Sequence, residues 1–478
     1  MSQNIEAKRD RFPTFRQWRR SFPRWLRSLP ISLVKRTRAW WKRNFRRLAF
    51  ACLFLVALWT GANIYATFAL NRELNAIKQR GEPLTLAQLN PRIADADNAL
   101  PLYSRAFAQL KYKGDENLLM QGTSKDYPRK PSNREIVSAR EKVFERNRNV
   151  TTLLFQAAQI THFQLPPEPL QETKKKSIFD MNERQKLLSH QREFARFMGA
   201  QAEYEAKRGN TKAALRCITT IYRMSDQIAQ EPNLIAMLVA IACEQIGHSY
   251  LARVLDVSPL PVSDAQKIAL QLPHSNLDSA YNRALQYERI FMLRYYSDSR
   301  YWWKIVSGSE DPSPATWTDR CFFAFFTPQR RLDGAAYLSL DLSKPNPQIP
   351  WFATMTRIMS PSYEKSKLSV ERTQDTREMA RIALALKLWK QTHNSYLKSL
   401  NELSSIPIAS LRNALKRRTV GYKSQGDKFL LYSFGMNRRD DGGKFRRFDP
   451  INPKVVLPND NSDDLAWRQS LGVKKRNN

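Results

Sequence analysis

Residues 48–70 read LAFACLFLVALWTGANIYATFAL, twenty-three consecutive positions without a charged side chain. As a helix rising 1.5 Å per residue this run is about 34 Å long, enough to cross a hydrocarbon layer of about 30 Å with some tilt. A cleaved secretory leader has a shorter apolar region, about 7–15 residues behind a short basic head. Here the head is 47 residues long and no small-x-small cleavage pattern follows, so the run is expected to remain as a signal anchor.

The flanks give the expected direction. Residues 28–47 hold seven Lys or Arg, and residues 71–90 hold three, Arg72, Lys78 and Arg80. The excess of positive charge before the span places residues 1–47 in the cytoplasm and everything after Leu70 outside, in a cell inner membrane. The tail carries fifteen Lys/Arg against Glu6 and Asp10, a net +13, interleaved with Phe12, Phe15, Trp18, Phe22, Trp25, Trp40, Trp41 and Phe45. That mixture suits an anionic lipid surface. It could also stack on nucleic acid bases, but beside a membrane span the lipid reading is simpler and nucleic acid is not the expected partner.

The whole chain has 478 residues and a formal charge of +34, so +21 remains beyond the tail, spread over 63 basic and 42 acidic residues. With 42% hydrophobic residues the chain can bury a core, and only 15 glycines argue for helices over repetitive β architecture. Four cysteines with no C-x-x-C pair exclude a disulfide framework and a structural zinc site of that type.

Outward from the span, residues 71–112 predict a short helix, a proline-punctuated link and a second helix around 99–110. Residues 113–150 are polar and basic and read as a surface excursion, and Lys174, Lys175 and Lys176 as a solvated linker. The clearest helical stretch is 183–296, with Leu187, Leu188, Phe194, Phe197, Met198 and Ala202 on one face. Gly209-Asn210 breaks it, Thr211–Ala229 forms the next helix, and Glu231-Pro232-Asn233 turns into Leu234–Leu255. Ten apolar residues from Leu234 to Cys243 are too few to span a bilayer and predict a buried core helix. The segment AEYEAKRGNTKAAL (202–215) has the cadence of one tetratricopeptide-like α-hairpin, with no second copy about 34 residues away. Cys217 and Cys243 lie symmetrically about the next turn, so either a disulfide or two buried thiols fits. Residues 295–352 are rich in aromatics. CFFAFFTP (321–328) reads either as packing on the helical core, the favoured expectation, or as an exposed partner-binding or membrane-dipping patch.

Beyond a long helix expected over 363–393, the pattern changes. Gly421-Tyr422 and FLLYSF (429–434) read as strands around a Gly426-Asp427 turn, followed by GMNRRDDGG (435–443) and DNSDDLAW (460–467). The run ALKLWKQTHNSYLKSLNEL…GYKSQGDKFLLYSFGMNRRDDGG…DDLAW resembles the C-terminal part of a type II secretion major pseudopilin. That resemblance implies a long helix leading to a three-stranded sheet and a calcium-binding loop. The implied ligands are Asp440, Asp441, Asp463 and Asp464, with carbonyls near Ser433 and Met436; a plain Asp-Asp-Gly-Gly turn is the alternative. Asn437 stands where that family has its first loop aspartate, Arg438 and Arg439 flank the site, and RRLAFACL replaces the prepilin processing signature, so a processed pseudopilin is not expected. Four stretches, 81–110, 208–246, 284–293 and the terminal L-Y-S-x-G…D-D-G-G, resemble a group of large bacterial single-pass membrane proteins. That resemblance implies architecture and no activity.

No H-E-x-x-H, G-x-S-x-G, Walker or G-x-G-x-x-G motif occurs, and the five histidines are scattered beyond metal-ligand spacing. Glu231, Glu244 and Glu288 could supply an acid–base pair, but ion pairing with the abundant Arg is the commoner use of such residues. The expected fold is mainly α: a basic tail (1–47), a transmembrane helix (48–70), a helical exported domain (71–362), and a pseudopilin-like α+β module (363–478). The expected role is a non-enzymatic, membrane-anchored binding or scaffold protein of the envelope. The alternatives are an accessory part of a secretion or pilus-like machine, and capture of acidic polymers such as DNA outside the membrane.

Overall fold

A computed structural model describes residues 31–114, 116, 133–166, 181–273, 276–297, 317–341, 348–408, 411, 415, 420–425, 428–434, 439–443 and 465–467. The chain is mainly helical, with a small antiparallel sheet near its C-terminal end.

Helix α1, Ile31–Gln79, passes through the uncharged run without a break and extends it by nine residues past Leu70. Phe50, Leu53, Phe54, Leu55, Val56, Leu58, Ile64, Tyr65 and Phe68 are all exposed. These positions point in every direction around the helix, so it is apolar all round and largely uncovered. Within the run Ala66 is buried, and beyond it Ile77 is fully buried in the body.

Two short helices follow, α2 (Leu86–Leu89) and α3 (Leu100–Gln109). The expected excursion over 113–150 needs correction in its second half. Residues 133–157 form α4 (Asn133–Arg146) and α5 (Arg148–Ala157), with Val143, Phe144, Val150 and Leu154 buried against α3 and α6. Dense Arg, Lys and Glu on the outer face of α4 hid its apolar stripe from composition. The Lys174–Lys176 linker lies outside the described residues.

Helices α6 (Met181–Lys207), α7 (Thr211–Ile228) and α8 (Leu234–Val257) pack pairwise as the centre of the body. The first turn uses Gly209 at φ +82, a conformation disfavoured for side chains with a Cβ, as the sequence break anticipates. At the second turn Asn233 caps α8 by accepting from the Ala236 amide at 2.7 Å. By length and apolarity α1 and α8 could each cross a membrane, but α8 is 72% buried within the body and serves as its core helix. Cys217 and Cys243 are buried free thiols, so no bridge links α7 to α8.

Helices α9 (Val262–Gln271) and α10 (Leu277–Ser297) lead to α11 (Trp317–Ser339) and then to α12 (Thr354–His393), which begins nine residues before the expected start. Alanine precedes α12 at the capping position, so the cap comes from elsewhere in the chain. The Asp333 carboxylate of α11 accepts from the Met355 and Thr356 amides at 2.8 and 3.2 Å and from the Thr356 hydroxyl at 2.6 Å. The first half of α12 contributes Tyr363 and Val370 to a cluster with Ile77, Met237, Tyr281 and Tyr337. Its second half, from Met379 to Leu388, joins the main core of α3–α9.

The sheet has the order β1 (Val420–Gln425), β2 (Lys428–Ser433), β3 (Leu465–Trp467), all antiparallel. Gln425 pairs with Lys428, so two residues separate the strands, as the sequence anticipates, although Gly426 and Asp427 themselves lie outside the described residues. Phe429, Leu431 and Trp467 bury into the same core as α6–α8.

Candidate functional site

Helix α8 is apolar for ten residues and then carries two titratable groups one turn apart, Glu244 and His248, both fully inside the body. Spacing of i and i+4 puts them on one face. That face meets Tyr222 of α7 and Arg377 of α12, and the Trp467 ring of β3 lies 5.9 Å from that of His248. Arg377 donates from Nε and Nη2 to the two Glu244 oxygens at 2.6 and 2.8 Å; His248 Nε2 is 3.2 Å from Oε1, and Tyr222 Oη is 2.9 Å from His248 Nδ1.

These partners fix the proton positions. With Glu244 ionised and paired to Arg377, Nε2–H donates to the carboxylate and Nδ1 accepts from the Tyr222 hydroxyl. The carboxylate, both imidazole nitrogens and the Tyr222 hydroxyl are then paired with His248 neutral, while the buried Trp467 Nε1 beside them has no hydrogen-bond partner among the described residues. Burial pushes the imidazole below its ordinary value, against the opposing pull of Glu244. Burial also opposes ionisation of Glu244, but Arg377 outweighs it and holds the carboxyl below the usual range. A Tyr–His–Glu chain resembles an acid–base relay in composition. Tyr222, Glu244 and His248 are 2% exposed or less. What the arrangement does chemically is pin α7, α8 and α12 in register.

The other two carboxylates are also engaged. Glu231 Oε2 accepts from the Leu165 amide at 3.0 Å, and its Oε1 pairs with Arg184 Nη2 at 2.9 Å. Glu288 sits near Tyr363, whose phenol is pushed up by burial and then by that charge. A third cluster, Glu203 with Arg140, Lys207 and Arg253, ties α4, α6 and α8 together; burial works against the charge, yet the three cations bring its carboxyl down to about 2.

Of the four expected calcium ligands, two are described. Asp440 Oδ1 accepts from the Tyr432 hydroxyl at 2.9 Å and the Gly442 amide at 2.8 Å. Lys423 Nζ donates to the Gly442 carbonyl at 2.6 Å, tying the loop to β1. Gly443, at φ +77, lies so close to Leu430 that a Cβ would sit 2.5 Å from its side chain. Here the Asp-Asp-Gly-Gly loop folds back onto β1 and β2. Asp463, Asp464 and Met436 lie outside the described residues, and among the described residues no group of three or more His, Cys, Asp or Glu converges.

Among the described residues, an open cavity lies where α1 enters the body. A cleft of about 610 Å³ is lined by Lys78, Glu82, Leu84, Gln88, Arg283 and Gln286, among others. Thr85 and Gln88 hold its floor through a reciprocal capping box on α2. Glu82 pairs with Arg80 at 2.5 Å and with Arg289. Lys78 and Arg283 have no carboxylate partner among the described residues, which leaves two positive charges facing an open cleft. Sequence reading gave no sign of this cleft, because its walls come from residues about 200 positions apart. Arg377 and Tyr222 were missed too; the Glu244-x-x-x-His248 step inside an apolar helix was the available signal.

Compared with known proteins, the chain matches no family model, no curated protein and no solved structure.

Proposed function

We propose that this is a non-enzymatic, membrane-anchored binding or scaffold protein of the cell envelope, with residues 1–47 cytoplasmic and the helical body exported. The single observation that carries the reading is α1. One helix bears a predominantly apolar, largely exposed stretch from Phe50 to Phe68 and then, without a break, buries Ile77 in the body's core. The basic cleft beside Lys78 therefore stands about 12 Å beyond the end of the apolar run, just outside the membrane. Two unpaired cations there favour phosphate or carboxylate groups of lipid headgroups or envelope polymers. The sealed Glu244 network supports a holding role over a catalytic one.

A second reading, an accessory component of a type II secretion or pilus-like machine, is favoured by one feature. The 40-residue α12 leads through Leu400–Ser405 into a three-stranded antiparallel sheet, the order that the pseudopilin resemblance implies. Cross-linking in cells tests it: recovery of pseudopilins supports it, and their absence removes it. The tetratricopeptide-like α6–α7 turn would add a binding surface to either reading.

Alkaline carbonate extraction of membranes containing the full chain tests the anchor. Retention in the membrane pellet is expected; release with peripheral proteins contradicts it.

A further inference from the structure

Helix α11 changes character halfway along. From Pro328 to Leu338 it is built into the body, where Asp333 caps α12 and Tyr296 lies against Gly334 so closely that a Cβ there would sit 2.9 Å from the ring. Its first nine residues are different: Trp317 is 78% and Phe325 67% exposed, and Thr318, Cys321 and Ala324 are exposed as well. Of CFFAFFTP, for which packing on the helical core is the favoured expectation, Cys321, Ala324 and Phe325 are exposed, Phe326 and Thr327 half-buried and Pro328 buried, while the side chains of Phe322 and Phe323 lie outside the described residues.

The pairing of α11 with α1 is the most extensive between helices among the described elements. Two polar contacts set its register. Trp59 Nε1 donates to the Phe325 carbonyl at 3.1 Å. Further along, Arg331 Nη1 donates to Asn63 Oδ1 at 2.8 Å and to Thr67 Oγ1 at 2.6 Å. Both residue numbers rise together, so the helices run parallel. Trp59 is the middle of the uncharged run 48–70, so Phe325 lies near the middle of the bilayer if that run spans it. The charged pair Asp319-Arg320 and then Trp317, five to eight residues earlier, are about 8–12 Å deeper, towards the far headgroup level where tryptophan is favoured. Arg331 lies inside the near edge, its charge held by two side-chain oxygens of the span, as a membrane-depth cation requires.

We propose that the first half of α11, residues 317–327, is a second membrane-embedded helix that re-enters the bilayer beside α1, and that its exposed apolar face is covered by lipid acyl chains. The Arg331–Asn63–Thr67 clamp locks the two helices where they leave the membrane. This inference rests on α1 spanning the bilayer. The exposed Trp317, Cys321, Ala324 and Phe325 belong to the half of α11 that runs beside the exposed stretch of α1, so a boundary that covers one covers the other.

The chain carries its own probes. Cys52 on α1 and Cys321 on α11 are exposed, whereas Cys217 and Cys243 are buried. Spin labels are attached to the full-length Cys52→Ser and Cys321→Ser variants, which leave Cys321 and Cys52 respectively. The double variant serves as blank. After reconstitution in phosphatidylethanolamine–phosphatidylglycerol vesicles, power saturation compares collisions with oxygen, which concentrates in the bilayer, against a water-soluble nickel chelate. The expected result is a several-fold preference for oxygen at Cys321, matching that at Cys52. Preference for nickel at Cys321 with oxygen preferred at Cys52 overturns the inference and leaves the span intact. Preference for nickel at both positions overturns the span and the inference together.

Discussion

Arg377 grips Glu244 through two parallel bonds, Nε to Oε1 at 2.6 Å and Nη2 to Oε2 at 2.8 Å, at a point where Glu244 has no exposed surface. Helix α12 is thereby fastened to the core helix α8. A buried pair of this kind contributes little over an apolar pair, because desolvation offsets its attraction, but breaking it strands a charge. Arg377→Met is expected to destabilise the full chain by about 3–5 kcal/mol in denaturant unfolding. The double variant Arg377→Met/Glu244→Leu should recover much of that loss. Equal loss in single and double variants would show that the pair does not act as a unit.

Acid should weaken the body in two windows. His248 is neutral when folded, its pKa depressed by burial, so the unfolded state takes up its proton first. Stability is therefore full above about pH 6.5 and declines as pH falls below that value. The Glu203 carboxyl, buried but brought down to about 2 by Arg140, Lys207 and Arg253, contributes stability present above its ordinary value of 4.5 and lost as pH falls towards 2. Unfolding midpoints measured from pH 8 to pH 3 check both. His248→Gln should flatten the upper decline and Glu203→Gln reduce the lower one.

Gly247 lies one residue before His248, and a Cβ there would sit 2.7 Å from the Tyr222 ring. In most exposed helix interiors Gly→Ala stabilises by about 1 kcal/mol. Here Gly247→Ala should destabilise by about 1–3 kcal/mol, because the ring that donates to His248 must move. A rise in thermal midpoint would show that the Tyr222 contact is not tight.

Asp440 closes its loop through Tyr432 and the Gly442 amide. Asp440→Ala should cost about 1–3 kcal/mol by leaving both donors unmatched. Thermal midpoints with calcium and with EGTA separate a turn from a metal site. A calcium-dependent rise that disappears in Asp440→Ala would assign the loop to calcium, and no dependence would assign it to the turn.

The helices at 183–257 were legible because their signals are local: Gly209 at the break, Asn233 as a cap, and apolar residues at helical spacing. The ten-residue apolar run of α8 pointed to a core helix, but the helix continues to Val257, long and apolar enough to span, and it is its burial within the body that marks it as core. What stayed hidden depends on contacts distant in sequence. Glu244 was visible as a carboxylate on a core helix, but its partner Arg377 lies 133 positions away. The cleft joins Lys78 to Arg283, and the two faces of α11 are separated only by what packs beside them. Residues 321–328 read as uniformly apolar, and an apolar run does not say whether protein or lipid covers it.

The central claim is an anchored chain whose body lies outside the membrane, and sidedness tests it most directly. Lys8→Cys and Arg148→Cys, each in the Cys52→Ser/Cys321→Ser chain, report on the tail and on a surface position of α5 that is 78% exposed. Spheroplasts are treated with a membrane-impermeant maleimide before and after lysis. Labelling at position 148 in intact spheroplasts, and at position 8 only after lysis, is the expected result. Labelling at position 8 in intact spheroplasts, or at position 148 only after lysis, would contradict the account.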